Sequence, residues 1–270
     1  MTPEIVQTTT RRIAITLDAS EAGRPALETC VRLAAILGAE LEGIFVEDIN
    51  LIRLSGLSFL REVRPSSQGE ESVSAQRMQR ELRTLARYAE RMLEQAAREM
   101  GVPWSFQVWR GHAGADTLAR TFAADILGLG RTGARSSRQL RMASATRAYP
   151  SRKPPTTISV LFSASNNAQR ALATAAHLAP ELDASLTVLL PDTSAESIDA
   201  LKDKARSQLA EQRQTARFAV LANTGAASLA QAVASTATGI LIAEADHPLF
   251  RQAGLEPCLE TLSCPVLLVR

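Results

Sequence analysis

The chain begins with a short apolar run, followed by apolar residues at helical spacing. Residues 13–17 are typical of a buried strand, and a turn containing Ser20 precedes the periodic stretch. The apolar positions of that stretch share one helix face: Leu27, Cys30, Val31, Ala34 and Leu37. Gly38 is a typical helix stop, and a second strand is predicted at 41–46. A strand, a helix and a strand of this length predict a βαβ unit, and therefore a parallel sheet.

The same pattern returns later in the chain. Shifted by 145 residues, segment 13–41 registers over 158–186 without a gap, with identities such as Ile13/Ile158 and Ser20/Ser165. The first copy continues with predicted helix 75–100, strand 104–109, helix 116–122 and strand 125–130. The second continues with strand 186–190, helix 195–214, strand 218–221, helix 228–235, strand 239–243 and strand 264–269. We therefore predict an α/β protein of two tandem doubly wound parallel-sheet domains, residues 1–152 and 153–270.

Composition narrows the class of protein. The 270 residues are 46% hydrophobic and 21% charged, which is typical of a globular chain. The net charge of +2 gives no bulk attraction toward nucleic acid, and no apolar run reaches the ~18 residues that cross a bilayer. The polar residues 1–10 lack a signal-peptide core. We expect a cytoplasmic protein with no nucleic-acid partner and no membrane insertion.

The cysteines predict neither disulfides nor a metal site. The chain has three, Cys30, Cys258 and Cys264, which are too few and too scattered for a disulfide framework. Cys30 falls on the apolar stripe of the first helix, where a cysteine usually acts as a small hydrophobic residue.

Candidate chemistry lies after the strands, because ligands of open parallel sheets bind beyond the carboxyl ends of the strands, where the strand order reverses. Gly130, Arg131 and Gly133 follow the fourth strand, and Ser144 comes eleven residues after Gly133. Glycines permit tight turns in which successive N–H groups face phosphate oxygens, and Ser144 offers a hydroxyl at the start of a helical turn. Asp18 follows the first strand at the same edge of the predicted sheet.

These residues resemble the universal stress protein family. Its ATP-binding members have Gly-x-x-Gly, nine residues, then Gly and Ser or Thr after the fourth strand, and an acidic residue in a D-x-S turn after the first. Here Gly130, Gly133 and Ser144 match the first motif and Asp18 the second, whereas Ala143 stands in place of the third glycine.

The resemblance covers nearly the whole chain, and it implies a fold and a ligand. It implies two adenine-nucleotide α-hydrolase-like domains that form a pseudo-dimer. The implied ligand is ATP or AMP, with or without Mg²⁺, held in the first half. Asp18 would accept a hydrogen bond from the adenosine part, and the backbone of Val46 would meet the base edge.

The two halves differ in ways that affect this reading. After Ser144 the first half has no room for the expected helix and last strand, so its sheet is either one strand short or completed by another segment of the chain. In the second half Ser163 replaces Asp18, no Gly-x-x-Gly follows the fourth strand, and Glu244 and Asp246 there would repel phosphate. We expect this half to be a structural partner.

Residues 48–74 are an insertion of the first half alone. Its apolar residues favour either a lid over the neighbouring helix or a loop that binds a partner.

Three functions stay open at this point. The first is a stress-response or regulatory protein that binds ATP or AMP in its first half. The second is an interaction module in which neither half binds nucleotide. The third is slow ATP hydrolysis, for which no general base can be nominated. We therefore expect no enzyme. A protein partner, as yet unknown, is expected, and pairing into a homodimer is left open.

Overall fold

A computed structural model of the chain describes the residues that position the candidate site. It describes residues 12–17, 23–48, 61–63, 70–72, 75–111, 124–129, 157–163, 165–192 and 197–270. The strands are β1 (Arg12–Leu17), β2 (Glu40–Asp48), β3 (Arg61–Val63), β4 (Glu70–Ser72), β5 (Trp104–Gly111), β6 (Ile126–Leu129), β7 (Thr157–Leu161), β8 (Ser185–Pro191), β9 (Arg217–Leu221), β10 (Ile240–Glu244) and β11 (Val266–Val269). The helices are α1 (Arg24–Leu37), α2 (Ala75–Glu99), α3 (Asn166–Glu181), α4 (Ile198–Glu211), α5 (Ala226–Ser235), α6 (Pro248–Ala253) and α7 (Leu255–Thr261).

The helix ends follow the local sequence signals. Helix α1 has a proline in its first turn and ends at Gly38, whose φ of 62° is a left-handed conformation that glycine adopts without strain. Helix α3 begins at Ser165, whose hydroxyl accepts a hydrogen bond from the Ala168 N–H at 2.9 Å. The apolar stripe predicted for α1 is its buried face, and Cys30 is fully buried within it.

Nine strands form one sheet in the order β5-β2-β1-β6-β11-β10-β7-β8-β9. All neighbours are parallel except β6 and β11, which pair antiparallel. Strands β3 and β4 form a separate antiparallel pair within the 48–74 insertion. The lid and partner-loop interpretations of that insertion depend on residues outside the described ranges.

Corresponding strands of the two halves have corresponding registers. Phe106 pairs with Gly43 in the first half, and Phe218 pairs with Val188 in the second, 145 residues after Gly43. Counted from the outer edge of the sheet, the first half has the order β5-β2-β1-β6 and the second half has the order β9-β8-β7-β10. In each half these are the third, second, first and fourth strands of the repeated unit. This arrangement is the one expected of duplicated halves, although the boundary at residues 152/153 falls outside the described ranges and stays a prediction.

Strand β11 completes the sheet of the first half. It is the fifth strand of the second half, and it pairs with β10 on one side and with β6 on the other. The edge of β6 that the short first half leaves open is thus covered by another segment of the chain, one of the two predicted alternatives. Because β6 and β11 are antiparallel, the strands of the two halves run in opposite directions. Their carboxyl ends consequently lie at opposite edges of the sheet.

Helices cover both faces of the sheet. Buried residues of α1, α2, α3 and α4 pack on one face, and those of α5, α6 and α7 pack on the other. Strand β11 is buried on both faces, which explains its uninterrupted apolar sequence.

Candidate functional site

The strand order of the first half reverses between β1 and β6. These neighbours are parallel, and Ile15 of β1 pairs with Gly128 of β6. The chain leaves β1 after Leu17 and β6 after Leu129, side by side at the same edge of the sheet. In open α/β sheets this reversal forms the crevice in which ligands bind.

Strands β2 and β5 extend beyond this reversal point. Leu17, the last residue of β1, pairs with Phe45, whereas β2 and β5 stay paired as far as Asp48 and Gly111. Val46 is the first residue of β2 past the end of β1, and it is half-buried on the α5–α7 side of the sheet. The projecting ends of β2 and β5 therefore form one wall of the crevice.

Trp109 contributes to the same wall. It pairs with Val46, and its indole ring lies against the backbone of Gly111. A Cβ atom at position 111 would lie 2.2 Å from the ring, so the indole fits there only because residue 111 is glycine. The ring is partly buried and packs against the core on the α5–α7 side of the sheet.

Two polar side chains of the crevice have contrasting environments. The carboxylate of Glu47 is buried, and one of its oxygens accepts hydrogen bonds from Nε and Nη2 of Arg110 at 2.9 and 2.8 Å. Thr16 pairs with Ile44 near the end of β1, and its hydroxyl is buried without a hydrogen-bond partner in the part of the chain that the structure describes. An unpaired buried hydroxyl is unusual, and such a group often marks a place where a ligand or water supplies the missing bond. Sequence reasoning missed Thr16, for which the signal was a polar residue within an apolar strand.

Most residues predicted for the nucleotide site lie outside the described ranges. Val46 is described and stands at the crevice. The others are Asp18, Gly130, Arg131, Gly133, Ala143 and Ser144. Their roles stay predictions.

The second half has a matching reversal between β7 and β10, with different residues. Ile240 pairs with Ile158 as Ile126 pairs with Ile13. Counted along the chain from these pairs, Glu244, the last residue of β10, corresponds to Gly130, the residue that follows β6. By the same registers Ser163, Pro191 and Leu161 stand at the positions of Asp18, Val46 and Thr16.

Glu244 is turned into the protein at this second reversal. It is 3% exposed, and its two carboxylate oxygens accept hydrogen bonds from the hydroxyls of Ser163 and Ser165. Ser165 also caps α3, so the carboxylate ties the ends of β7 and β10 to the start of that helix. The sequence analysis expected Glu244 to repel phosphate, but it missed that this carboxylate also joins the two strand ends to α3 through hydrogen bonds.

His247 is a buried neutral group close to Glu244. Its Nδ1 accepts a hydrogen bond from the Leu249 N–H at 3.1 Å, at the start of α6. Burial lowers the pKa of His247 to about 3, so the ring is uncharged at neutral pH. Its Nε2 atom has no hydrogen-bond partner in the described part of the chain.

The described residues contain buried thiols but no cluster of metal-binding side chains. Within the described ranges, no group of three or more His, Cys, Asp or Glu side chains is arranged to hold a metal ion. Burial raises the pKa of both Cys30 and Cys264 to about 12, which leaves these thiols protonated. None of the described helices combines the length and apolar composition needed to cross a bilayer.

The chain has the universal stress protein fold, as its sequence predicted: an α/β sheet, mostly parallel and flanked by helices. A universal stress protein from Archaeoglobus fulgidus DSM 4304 is similar in structure, with a TM-score of 0.57 at 9% identity over 96% of each chain. A functionally unknown protein from Pseudomonas aeruginosa PAO1 is similar with a TM-score of 0.50 at 13% identity, over 96% of this chain and 92% of that one.

A universal stress protein in complex with cAMP aligns with 43% of this chain and 98% of its own, at 19% identity and a TM-score of 0.36. No protein-family model matches the sequence, and no curated protein matches it significantly. The two similarities that span the whole chain, at 9% and 13% identity, establish the fold and leave the ligand to be argued from the site.

Proposed function

We propose that this protein is a cytoplasmic stress-response or regulatory protein that binds ATP or AMP, with or without Mg²⁺, in its first half. The observation that carries the proposal is the reversal of strand order between β1 and β6. Asp18 directly follows the last residue of β1, and Gly130 directly follows the last residue of β6. The acidic residue and the glycine loop thus leave from adjacent strands at the edge where ligands of this fold bind.

Each part of the ligand has a proposed partner. Backbone N–H groups of Gly130–Gly133 and the hydroxyl of Ser144 would hold the phosphates, with Arg131 adding positive charge. Asp18 would accept a hydrogen bond from the ribose, and the backbone of Val46 would meet the adenine edge. The buried hydroxyl of Thr16, which has no hydrogen-bond partner among the described residues, supports a polar ligand at this place.

The second half supports the proposal by contrast. Pro191, at the position of Val46, has no N–H to donate to a base. Glu244 puts a buried negative charge at the position where the glycine loop begins in the first half. A phosphate brought next to that carboxylate would be repelled. We therefore propose one nucleotide per chain.

Calorimetric titration with ATP and AMP, each with and without Mg²⁺, tests the proposal. We expect saturable binding near one site per chain, abolished by Asp18→Ala and retained by Ser163→Ala, the matched change in the second half. Thr16→Leu should weaken binding without loss of folding, because Leu161 fills the same place in the second half. If Ser163→Ala abolished binding and Asp18→Ala did not, the nucleotide would be bound in the second half, and the proposal would be contradicted.

The second candidate is an interaction module without a nucleotide. The observation that favours it is the closed second half, where the serine hydroxyls already have a carboxylate partner. The absence of heat at millimolar ATP and AMP would reject nucleotide binding and leave this candidate. In neither case do we propose catalytic turnover. Phosphate release from ATP above the level of a Ser144→Ala variant would contradict that view.

A further inference from the structure

We propose that the ion pair between Glu47 and Arg110 is a positioning device that gives the first-half site its preference for adenine. The inference rests on the proposed function, because it concerns the base of the nucleotide proposed for that crevice. Neither side chain touches the ligand. The pair instead holds Val46, whose backbone would meet the edge of the base, in a fixed place.

Val46 lies on a two-stranded projection of the sheet. The described part of β1 ends at Leu17, opposite Phe45, whereas β2 and β5 stay paired for three more positions, as far as Asp48 and Gly111. Since β5 is the outermost strand, it is the only described strand that flanks this end of β2. Two strands by themselves are marginally stable, so the contacts between them decide how firmly the projection is held.

The backbone of the projection is turned toward the crevice. Along a strand of a parallel sheet, the N–H and C=O groups of successive residues face the two neighbouring strands in alternation. The N–H of Leu41 donates to the carbonyl of Pro103, next to β5. Val46 and Asp48 therefore face the opposite side, that of β1, beyond its described end. A C=O and an N–H side by side match the amino donor and the ring-nitrogen acceptor of adenine, provided that their distances and angles are right.

Glu47 lies between these two residues and is fastened to β5 through its side chain. One of its carboxylate oxygens accepts hydrogen bonds from Nε and Nη2 of Arg110 at 2.9 and 2.8 Å. The side chain of Glu47 is 9% exposed and that of Arg110 is 60% exposed, so the carboxylate is shielded while the guanidinium meets solvent. Charge-assisted bonds of this kind are stronger than bonds between neutral groups. The pair thus fixes the stretch of backbone that faces the base.

The second half lacks both the projection and the ion pair. Its strands β8 and β9 stop pairing at Pro191 and Leu221, two positions earlier than β2 and β5 do. By register the counterpart of Arg110 is Ala222, which is exposed and cannot form an ion pair. A pair that served only to protect an outer strand would be needed at β9 as much as at β5. Its presence in the first half alone therefore favours a role at the site proposed there.

Titration of the full-length protein with ATP and with inosine triphosphate tests the inference. Inosine has an oxygen acceptor and an N–H donor where adenosine has the amino group and the ring-nitrogen acceptor. We expect the unaltered protein to prefer ATP. Arg110→Ala should lower the ratio of the two affinities by about threefold or more, because one hydrogen bond contributes roughly two- to tenfold in affinity. The lost positive charge weakens both triphosphates alike and cancels in the ratio.

Two further variants separate positioning from a general loosening of the strands. Gln107→Ala removes a 2.8 Å hydrogen bond to Glu42 between the same two strands, at a level where β1 still flanks β2, and should leave the ratio unchanged. Arg110→Lys keeps a positive charge beside Glu47 and should restore part of the preference for ATP. If Arg110→Ala does not fold, Glu47→Gln carries the comparison, because it keeps the shape of the side chain and removes its charge; it should also lower the ratio.

The outcomes distinguish this inference from the proposed function. If the unaltered protein bound ATP and the ratio stayed the same in Arg110→Ala, the inference would be overturned and nucleotide binding would stand. Equal falls of the ratio in Arg110→Ala and Gln107→Ala would also overturn it, since loosened strands would explain both. If the unaltered protein bound neither triphosphate, the proposed function itself would fail, and the inference with it.

Discussion

Replacement of Leu267 by alanine tests whether β11 joins the two halves into one unit of stability. Leu267 is fully buried, and it pairs with Gly128 of β6 on one side and with Ile242 of β10 on the other. Truncation of a buried leucine removes about 2–5 kcal/mol of the free energy of unfolding. For Leu267→Ala we expect the free energy of unfolding to fall by about 3 kcal/mol, because helices cover the face of the sheet on which the side chain lies and strands flank β11 on both sides.

The two halves can be followed separately, because both tryptophans of the chain, Trp104 and Trp109, lie on β5 at the first-half edge of the sheet. Tryptophan fluorescence therefore reports unfolding of the first half, whereas circular dichroism reports the helices of both. If β11 stabilises both halves, Leu267→Ala should lower the two midpoints together, by roughly 6–12 °C. Leu85→Ala, at an exposed position, should leave both midpoints within about 2 °C.

One result would refute the reasoning. If Leu267→Ala lowered the circular-dichroism midpoint and left the fluorescence midpoint unchanged, the first half would be stable without β11. The pairing of β6 with β11 would then contribute little to folding.

Buried groups elsewhere give three more predictions. Burial lowers the pKa of His247 to about 3 from 6.5, so the unfolded chain binds the extra proton and the free energy of unfolding falls as the pH drops below 6.5. Between pH 8 and pH 5, urea titrations should show the free energy of unfolding falling by about 2 kcal/mol. His247→Asn should abolish this pH dependence, whereas His177→Asn, at an exposed position, should leave it unchanged. A free energy of unfolding that does not change with pH would contradict the prediction. Gly128→Ala should cost about 1–3 kcal/mol, because its Cβ would lie 2.3 Å from Cys30 Sγ. The loss should shrink in a Cys30→Ala background, and equal losses in both backgrounds would exclude this clash as the cause. Burial raises the pKa of Cys30 and Cys264 to about 12, so a disulfide reagent at pH 8 should label them only after unfolding, and rapid labelling of the native protein would argue against it.

Local patterns were sufficient to predict most elements of the fold. The stripe from Leu27 to Leu37 and the stop at Gly38 predicted α1, and the helix ends at Leu37 with Gly38 in a left-handed conformation. The helix predicted at 75–100 is α2, Ala75–Glu99. These predictions succeed because the hydrogen bonds and the buried face of a helix depend on residues close together in sequence.

The candidate site was predictable only in part. The order of strands and loops indicated the edge at which Asp18 and the Gly130 loop leave the sheet, because that edge follows from the direction of parallel strands. In the sequence alone, nothing marked Thr16 as a buried hydroxyl at the site, or Pro191 as the counterpart of Val46 in the second half. Their meaning depends on which strands are neighbours.

The sequence by itself determined the repeated strand–helix–strand units, their parallel pairing and the family that the chain resembles. Only the tertiary structure decided where Val266–Val269 inserts, because an apolar strand satisfies its hydrogen bonds beside any strand that has a free edge. It also decided that Glu244 turns inward, since an acidic residue at a strand end can face solvent or a hydroxyl pair. The choice between these depends on the side chains that folding brings from distant parts of the chain, here Ser163 and Ser165.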